Sequence, residues 1–401
     1  MTNTKLPCSD LVDKIQLKKS QSDLVINGGT PAFQQPLHVG CPNMGDKAAF
    51  MRYVDQIFEN RWLSNNGPLV QELEQRIANY HQVKHCVAMC NGTIALEIAI
   101  RALELTGEVI LPSYTFIATA HALHWQEITP VFADIDPVTH CLDTEAVRKM
   151  ITPKTTGIIG VHLWGHAAPV NDLQAVADEY GLQLLFDAAH AFGCSYQGQM
   201  IGNFGHCEVL SFHATKFFNT FEGGAVLTND DELAEKMRLM RNFGFAGMDN
   251  VIHPGTNGKM TEICAAMGLV NLDNLGIVLE ANRRNYLAYQ QELADLPVRL
   301  FAFDERERKN YQYVVMEVGE ECPVSRDEIV KALHVENVLA RRYFWPGCHN
   351  MKPFKELFPH AGLLLQNTQL VADRVIVLPT GIDINCQLVA TISNIVRMLC
   401  N

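Results

Sequence analysis

The chain has 401 residues, 48% of them hydrophobic and only 19% charged, which is enough apolar material for a large core and excludes a disordered or collagen-like chain. Its 44 Asp and Glu against 32 Lys and Arg give a formal charge of −12, and no segment gathers the basic residues that a phosphate backbone demands, which argues against nucleic acid as a partner. No stretch approaches the roughly 20 apolar residues of a membrane span, and the opening MTNTKLPCSDLVDKIQLKKS lacks the apolar centre of a signal peptide, so a cytoplasmic protein without membrane contact is expected.

Residues 1–37 read as a polar N-terminal extension, 38–290 as a large domain and 291–401 as a small C-terminal one. Within 38–82 the pattern is helical, broken by the turn Ser64-Asn65-Asn66-Gly67-Pro68. From Val83 to Leu227, short apolar runs alternate with amphipathic stretches. The runs HCVAMC (85–90), EVILP (108–112), TPVFADI (129–135), GIIGVHL (157–163), QLLFDA (183–188), CEVLSF (207–212) and GAVLTN (224–229) predict seven strands. Thr93–Leu105, Asp143–Met150 and Asn171–Tyr180 have the length and period of crossover helices. This is an α/β pattern: a mostly parallel sheet with helices on both faces. A long helical pattern follows Leu275, and beyond Pro297 a strand-like YQYVVMEV (311–318) and two more helical patterns predict a small α+β domain. The 12 cysteines are scattered and contain no Cys-x-x-Cys; Cys86 and Cys90 have no second pair beside them, so no structural metal is expected.

Four features of the sheet region combine into one chemistry. Asn91-Gly92-Thr93 sits between a strand and a helix, where free N–H groups and the helix dipole hold phosphate, although a glycine there also serves as a plain turn. Asp187 ends the run QLLF at the carboxyl edge of the sheet, where open α/β sheets bind ligands; the alternative is a helix cap. Lys216, in Ser211-Phe212-His213-Ala214-Thr215-Lys216, follows the next strand and is either a solvated surface charge or an amine placed to form an imine with a cofactor aldehyde, Ser211 then bonding the phosphate. Phe116, in Pro112-Ser113-Tyr114-Thr115-Phe116, is a core aromatic or a face for a flat heterocycle. A phosphate cradle, a stacking ring, a carboxylate for a pyridine nitrogen and an imine-forming lysine are together what pyridoxal 5′-phosphate requires.

The blocks WLSNNGPLVQELE (62–74), NGTIAL (91–96), LPSYTFIATA (111–120), VHLWG (161–165), FDAAHAFG (186–193), SFHATK (211–216), EGGAVLTND (222–230) and GTNGKMTEICAAMGL (255–269) give the chain its resemblance to the DegT/StrS family of pyridoxal-phosphate-dependent sugar aminotransferases, over about 38–400. The resemblance implies fold type I, the aspartate-aminotransferase-like architecture, with a seven-stranded sheet in the large domain. It makes Lys216 the imine-forming lysine and Asp187 the partner of the pyridine nitrogen. Phe116 would stack on the ring, Gly92, Thr93 and Ser211 would hold the phosphate, and Asn257 would reach the phosphate held by the other subunit of a homodimer with shared active sites. His190 stands where many members carry Gln, which leaves its contact to the ring oxygen plausible and its protonation open. The lysine argues against the dehydratase branch, in which His replaces it.

The resemblance further implies amine transfer from L-glutamate, released as 2-oxoglutarate, to a keto-sugar nucleotide. The block ARRYFWPGCHNMKPF (340–354) resembles that of the dTDP-4-amino-4,6-dideoxyglucose aminotransferases, which favours reaction at C4 of dTDP-4-keto-6-deoxyglucose. A C3 aminotransferase, a UDP-keto-sugar enzyme and a non-catalytic cofactor-binding regulator are the alternatives. Tyr343, Trp345 and His349 in that block serve either packing between domains or substrate contact.

Overall fold

The computed structural model describes residues 15–400, so the first 14 residues of the expected extension, and Asn401, lie outside the described part. Two helices come first, α1 (Lys47–Asn60) and α2 (Pro68–His81), the second opening on Pro68 at a position whose N–H needs no helical partner. Strands and crossover helices then alternate: β1 (His85–Met89), α3 (Gly92–Ala102), β2 (Glu108–Pro112), α4 (Ile117–His124), β3 (Thr129–Ala133), α5 (Thr144–Met150), β4 (Thr155–Val161), α6 (Val170–Tyr180) and β5 (Gln183–Asp187). The large sheet finishes with β6 (Cys207–Ser211) and β7 (Gly224–Thr228), followed by α7 (Asp231–Met240) and the buried helix α8 (Glu262–Asp273).

The seven strands lie in the order β1-β7-β6-β5-β4-β2-β3 and all run parallel except β7, which is antiparallel to both its neighbours. Alternation along each strand feeds both faces: Val87 and Met89 join one apolar cluster and Cys86 and Ala88 the other, as Val226 does against Ala225 and Leu227. With both faces covered, the strands read as continuous apolar runs, and this is why the sequence located all seven. The carboxyl ends of β1, β2, β5 and β6 lie along one edge; Asp187 is the last residue of β5, and the loops beyond the other three carry Asn91, Phe116 and Lys216.

Helix α9 (Leu275–Glu292) leads into a three-stranded antiparallel sheet in the order β8 (Val298–Leu300), β9 (Val314–Val318) and β10 (Val375–Leu378). Helices α10 (Arg326–Val335), α11 (Gln366–Arg374) and α12 (Cys386–Cys400) belong to this second unit, and α12 packs along α9. Helix α9 runs across the division placed at 290. The expected strand 311–318 is paired only from Val314, because Tyr311–Tyr313 leave the sheet to serve the large domain: Gln312 Oε1 accepts the N–H of Phe217 at 3.0 Å. Among the described residues, no single helix is long and apolar enough to cross a membrane, and no group of three or more His, Cys, Asp and Glu is placed to hold a metal ion.

The described part of the extension is a packed strap. Leu24, Ala32, Phe33 and Leu37 are buried in the core of the second unit. Glu336 accepts the N–H groups of Val25 and Ala32 at 2.7 Å each and pairs with buried Lys18 at 3.1 Å. Leu37–His38 lies parallel to Val338–Leu339, and Asn337 Nδ2 donates to Phe33 O at 2.7 Å. Two residues later the strap reaches the large domain. A Cβ on Gly40 would sit 2.8 Å from Cβ of Thr215, and Asn43 donates to Phe217 O and accepts from Asn219 Nδ2 at 3.1 and 2.9 Å. Leu24, the pair Ala32-Phe33 and Leu37 in a polar stretch carry no helix or strand period, and for this reason the segment reads in sequence only as a polar extension.

Candidate active site

A cavity of about 400 Å³ opens at the carboxyl edge of the large sheet and brings together Asn91, Gly92, Thr93, Phe116, Asp187, His190, Ser211 and Lys216. At its phosphate-sized end, Asn91 caps α3 from extended backbone, its side chain accepting the N–H of Ile94 at 2.8 Å and its carbonyl that of Ala95 at 3.1 Å. The N–H groups of Gly92 and Thr93 remain at the positive end of the helix dipole, on the cavity wall. Glycine keeps this corner open: a Cβ on Gly92 would stand 3.0 Å from Cβ and 3.2 Å from Oγ of Ser211, tighter than ordinary contact. Gly224, at the head of β7, leaves room in turn for Asn91 and Gly92, since its Cβ would meet their backbone at 2.7 Å.

Asp187 ends β5 in a fully enclosed position. Burial pushes its carboxyl above the usual range, while the Thr119 hydroxyl, donating to Oδ2 at 2.8 Å, the Ala189 N–H, donating to Oδ1 at 3.1 Å, and the Lys216 charge act in the opposite sense. His162, next to β4, has a fixed tautomer: Nδ1 accepts the Ala168 N–H at 2.9 Å, so Nε2 carries the hydrogen bonded to Glu208 at 2.8 Å. Burial lowers the Lys216 amine to about 8 even though Asp187 favours its charged form. Its Nζ lies 3.5 Å from the hydroxyl of Tyr313, a phenol whose own ionisation burial pushes far up, so the pair is an ammonium or amine beside a protonated phenol.

The far wall is aromatic. His190, Trp164 and Phe344 form a triangle of near-parallel rings, His190 at 5.9 Å from each of the others and those two 5.5 Å apart, with Tyr313 tilted over His190 at 4.5 Å. Burial and the Lys216 charge hold His190 well below its ordinary value, and its Nδ1 accepts from Trp164 N at 3.4 Å. Both effects favour the neutral imidazole at this position. Phe116 caps α4 on the cavity mouth and is 57% exposed, so it is a ring presented to the cavity instead of a core aromatic. Asn257 lies on an exposed loop outside this chain's cavity.

The 340–354 block divides by burial. Tyr343 and Phe344 line the cavity, as does Arg341. His349 is packing: it is buried, with Nδ1 2.7 Å from Ser113 Oγ. Trp345 carries the Arg342 guanidinium over its ring at 4.5 Å. Sequence reasoning missed Thr119, His162, Tyr313 and Arg341. Thr119 lies three residues after Phe116 in LPSYTFIATA and faces Asp187 one helical turn on, a spacing that marks it in retrospect. A wider cleft of about 570 Å³ between residues 303–309 and 165–169 contains none of these groups.

A helix-end cradle closed by glycine, an enclosed carboxylate, an amine lowered toward neutrality and a flat aromatic wall match the phosphate, ring nitrogen, aldehyde and ring of pyridoxal 5′-phosphate, and on this sheet order they define a fold type I, pyridoxal-phosphate-dependent aminotransferase. The profile of the DegT/DnrJ/EryC1/StrS aminotransferase family matches residues 45–397, and the chain belongs to that family. It is similar to the dTDP-4-amino-4,6-dideoxy-D-glucose transaminase of Shigella dysenteriae, 35% identical over 91% of this chain and 99% of the relative. It is also similar to the GDP-perosamine synthase of Caulobacter vibrioides, 36% identical over 76% and 84%. Among solved structures, DesI, crystallised in the presence of its TDP-sugar product, superimposes with a TM-score of 0.91 at 47% identity, covering 94% of this chain and 96% of its own. The chain is thus a sugar-nucleotide aminotransferase.

Proposed function

We propose that the chain moves the amino group of L-glutamate to C4 of dTDP-4-keto-6-deoxyglucose, giving dTDP-4-amino-4,6-dideoxyglucose and 2-oxoglutarate, as a cytoplasmic homodimer in which Asn257 of one subunit reaches the phosphate site of the other. The observation that carries the cofactor chemistry is the meeting of Asp187, Lys216 and the Gly92 cradle in one cavity. Support for the sugar comes from the Shigella relative, whose similarity runs through almost its whole length.

When bound, pyridoxal 5′-phosphate supplies an aldehyde for reversible imine exchange and a ring that accepts electrons from the adjoining substrate carbon. The side chains supply the rest. Asp187, ionised and fixed by Thr119 and Ala189, holds the proton on the ring nitrogen. Gly92, Thr93 and Ser211 grip the phosphate, and Phe116 covers one ring face. Lys216, with an amine near 8, is neutral in a useful fraction at physiological pH; its Nζ takes the proton from Cα of glutamate and later delivers one to C4 of the sugar. Tyr313 orients that Nζ from the second unit, and Trp164, His190 and Phe344 keep water from the wall behind it.

The experiment is incubation of the holoenzyme with glutamate and a panel of keto-sugar nucleotides, followed by NMR of the product. An amine at C4 of the dTDP-sugar is expected. An amine at C3, or no turnover until a 3,4-ketoisomerase is added, rejects the C4 reading. A GDP-linked substrate is the second reading, favoured by the Caulobacter relative, and preferential turnover of a GDP-keto-sugar would select it.

A further inference from the structure

Four charged side chains line the cavity: Asp187, Lys216, Glu222 and Arg341. Asp187 and Lys216 are committed to the cofactor, and Glu222 lies 3.6 Å from His213 Nε2. Arg341 differs from all of them. Among the described residues its guanidinium, on an exposed residue, has no carboxylate or hydrogen-bond partner and lies over the ring of Tyr343 at 5.1 Å. The adjacent Arg342, by contrast, is paired with Asp327 at 3.0 Å. The backbone of Arg341 is held firmly, donating to Val377 O at 3.0 Å and accepting from Val377 N at 2.8 Å within β10. A planar, permanently charged fork on a fixed backbone, left unneutralised in a protein of net charge −12, is suited to an incoming oxyanion.

Its position selects which one. Arg341 lies over Tyr343, Tyr343 meets Tyr313 edge to face at 6.2 Å, and only the Tyr313 hydroxyl reaches Lys216. Arg341 is exposed, and the contacts that lead from its guanidinium to the reacting nitrogen run through two aromatic rings. An exposed place on the cavity wall suits a charge several bonds from the reacting carbon better than a carboxylate bonded directly to it. A sugar nucleotide whose C4 is at Lys216 carries its diphosphate across the whole ring of the sugar from that carbon. We propose that Arg341 is the residue of this chain that receives the diphosphate of the sugar nucleotide. The proposal rests on the sugar-nucleotide reading above and is indifferent to which base the nucleotide carries.

The test compares wild-type, Arg341→Met and Arg341→Lys holoenzymes. Calorimetry measures binding of dTDP, UDP and GDP, and stopped-flow absorbance measures the spectral change that glutamate produces. Loss of a bidentate charge-assisted contact should weaken whichever nucleoside diphosphate the wild type binds by about 10- to 100-fold in the Met variant, with part of the affinity restored by Lys. The glutamate reaction should keep its rate and half-saturation. Nucleotide affinity unchanged in Arg341→Met overturns the proposal. So does a defect confined to glutamate, which would assign Arg341 to the far carboxylate of the donor. Tight UDP or GDP binding in place of dTDP would overturn the dTDP reading while still deciding for or against Arg341. A wild-type holoenzyme that binds no nucleoside diphosphate overturns both.

Discussion

Thr119→Val tests how the cavity keeps Asp187 charged. The substitution is nearly isosteric and removes the hydroxyl that donates to Asp187 Oδ2 at 2.8 Å. A hydrogen bond to a buried ionised group contributes about 1.5–3 kcal/mol, and about 1.36 kcal/mol moves a pKa by one unit. Removing the donor should therefore raise Asp187 by about 1–2 units above its wild-type value in the loaded enzyme. The sign follows from the group being an acid. A carboxyl with a raised pKa takes up its proton at higher pH as the solution is acidified, and once neutral it no longer holds the proton on the ring nitrogen. The acid limb of kcat/KM should move upward by about 1–2 pH units, with the alkaline limb and the cofactor content unchanged. The assay is turnover with glutamate across pH 4–10 at fixed ionic strength. An acid limb that stays in place, in a variant that retains the cofactor, would refute the role given to Thr119 and locate the acid limb in another group.

Two further outcomes bear on the cofactor. Because the Lys216 amine lies near 8 and only its neutral form attacks an aldehyde, reloading of cofactor-stripped protein should accelerate through pH 8 and level off about one unit above it; borohydride should then fix a pyridoxyl mass on the peptide containing Lys216, and a label on any other lysine would refute the assignment. Gly92→Ala places a methyl 3.0 Å from Ser211 Cβ, and overpacking of about 1–3 kcal/mol should loosen cofactor binding by about 5- to 150-fold in equilibrium dialysis, whereas unchanged affinity would place the phosphate elsewhere.

The sheet was legible because both its faces are buried, which leaves seven uninterrupted apolar runs in the text; strand ends differ from the reading by one or two residues where an apolar residue such as Phe212 continues past the last ladder bond into a loop. Gly92, Asp187, Ser211 and Lys216 were legible for a related reason: each lies at or just past the end of a strand, and strand ends converge. Tyr313 and Arg341 were not. Each lies in or beside the second unit, far in sequence from the edge it serves, and only the packing of Gln312 against Phe217 and of Arg341 against Val377 brings them to the cavity. The strap escaped for the opposite reason, having neither period nor motif. His349 shows the limit of motif reading, since a histidine in a telling block turned out to hold a serine in the core.

The strap also acts as a tether of fixed length. His38 is laced to Leu339, two residues before Arg341 of the cavity's second wall, and Gly40 is pressed against Thr215, the neighbour of Lys216, on its first. Two residues of fully stretched chain cover about 7 Å. Any rocking of the second unit that parts the Arg341–Phe344 wall from the lysine loop at this corner must stop within that reach or peel the strap from one of its moorings. Opening wide enough to admit a nucleotide sugar is thereby directed away from the His38–Gly40 corner, toward the mouth where Phe116 is exposed.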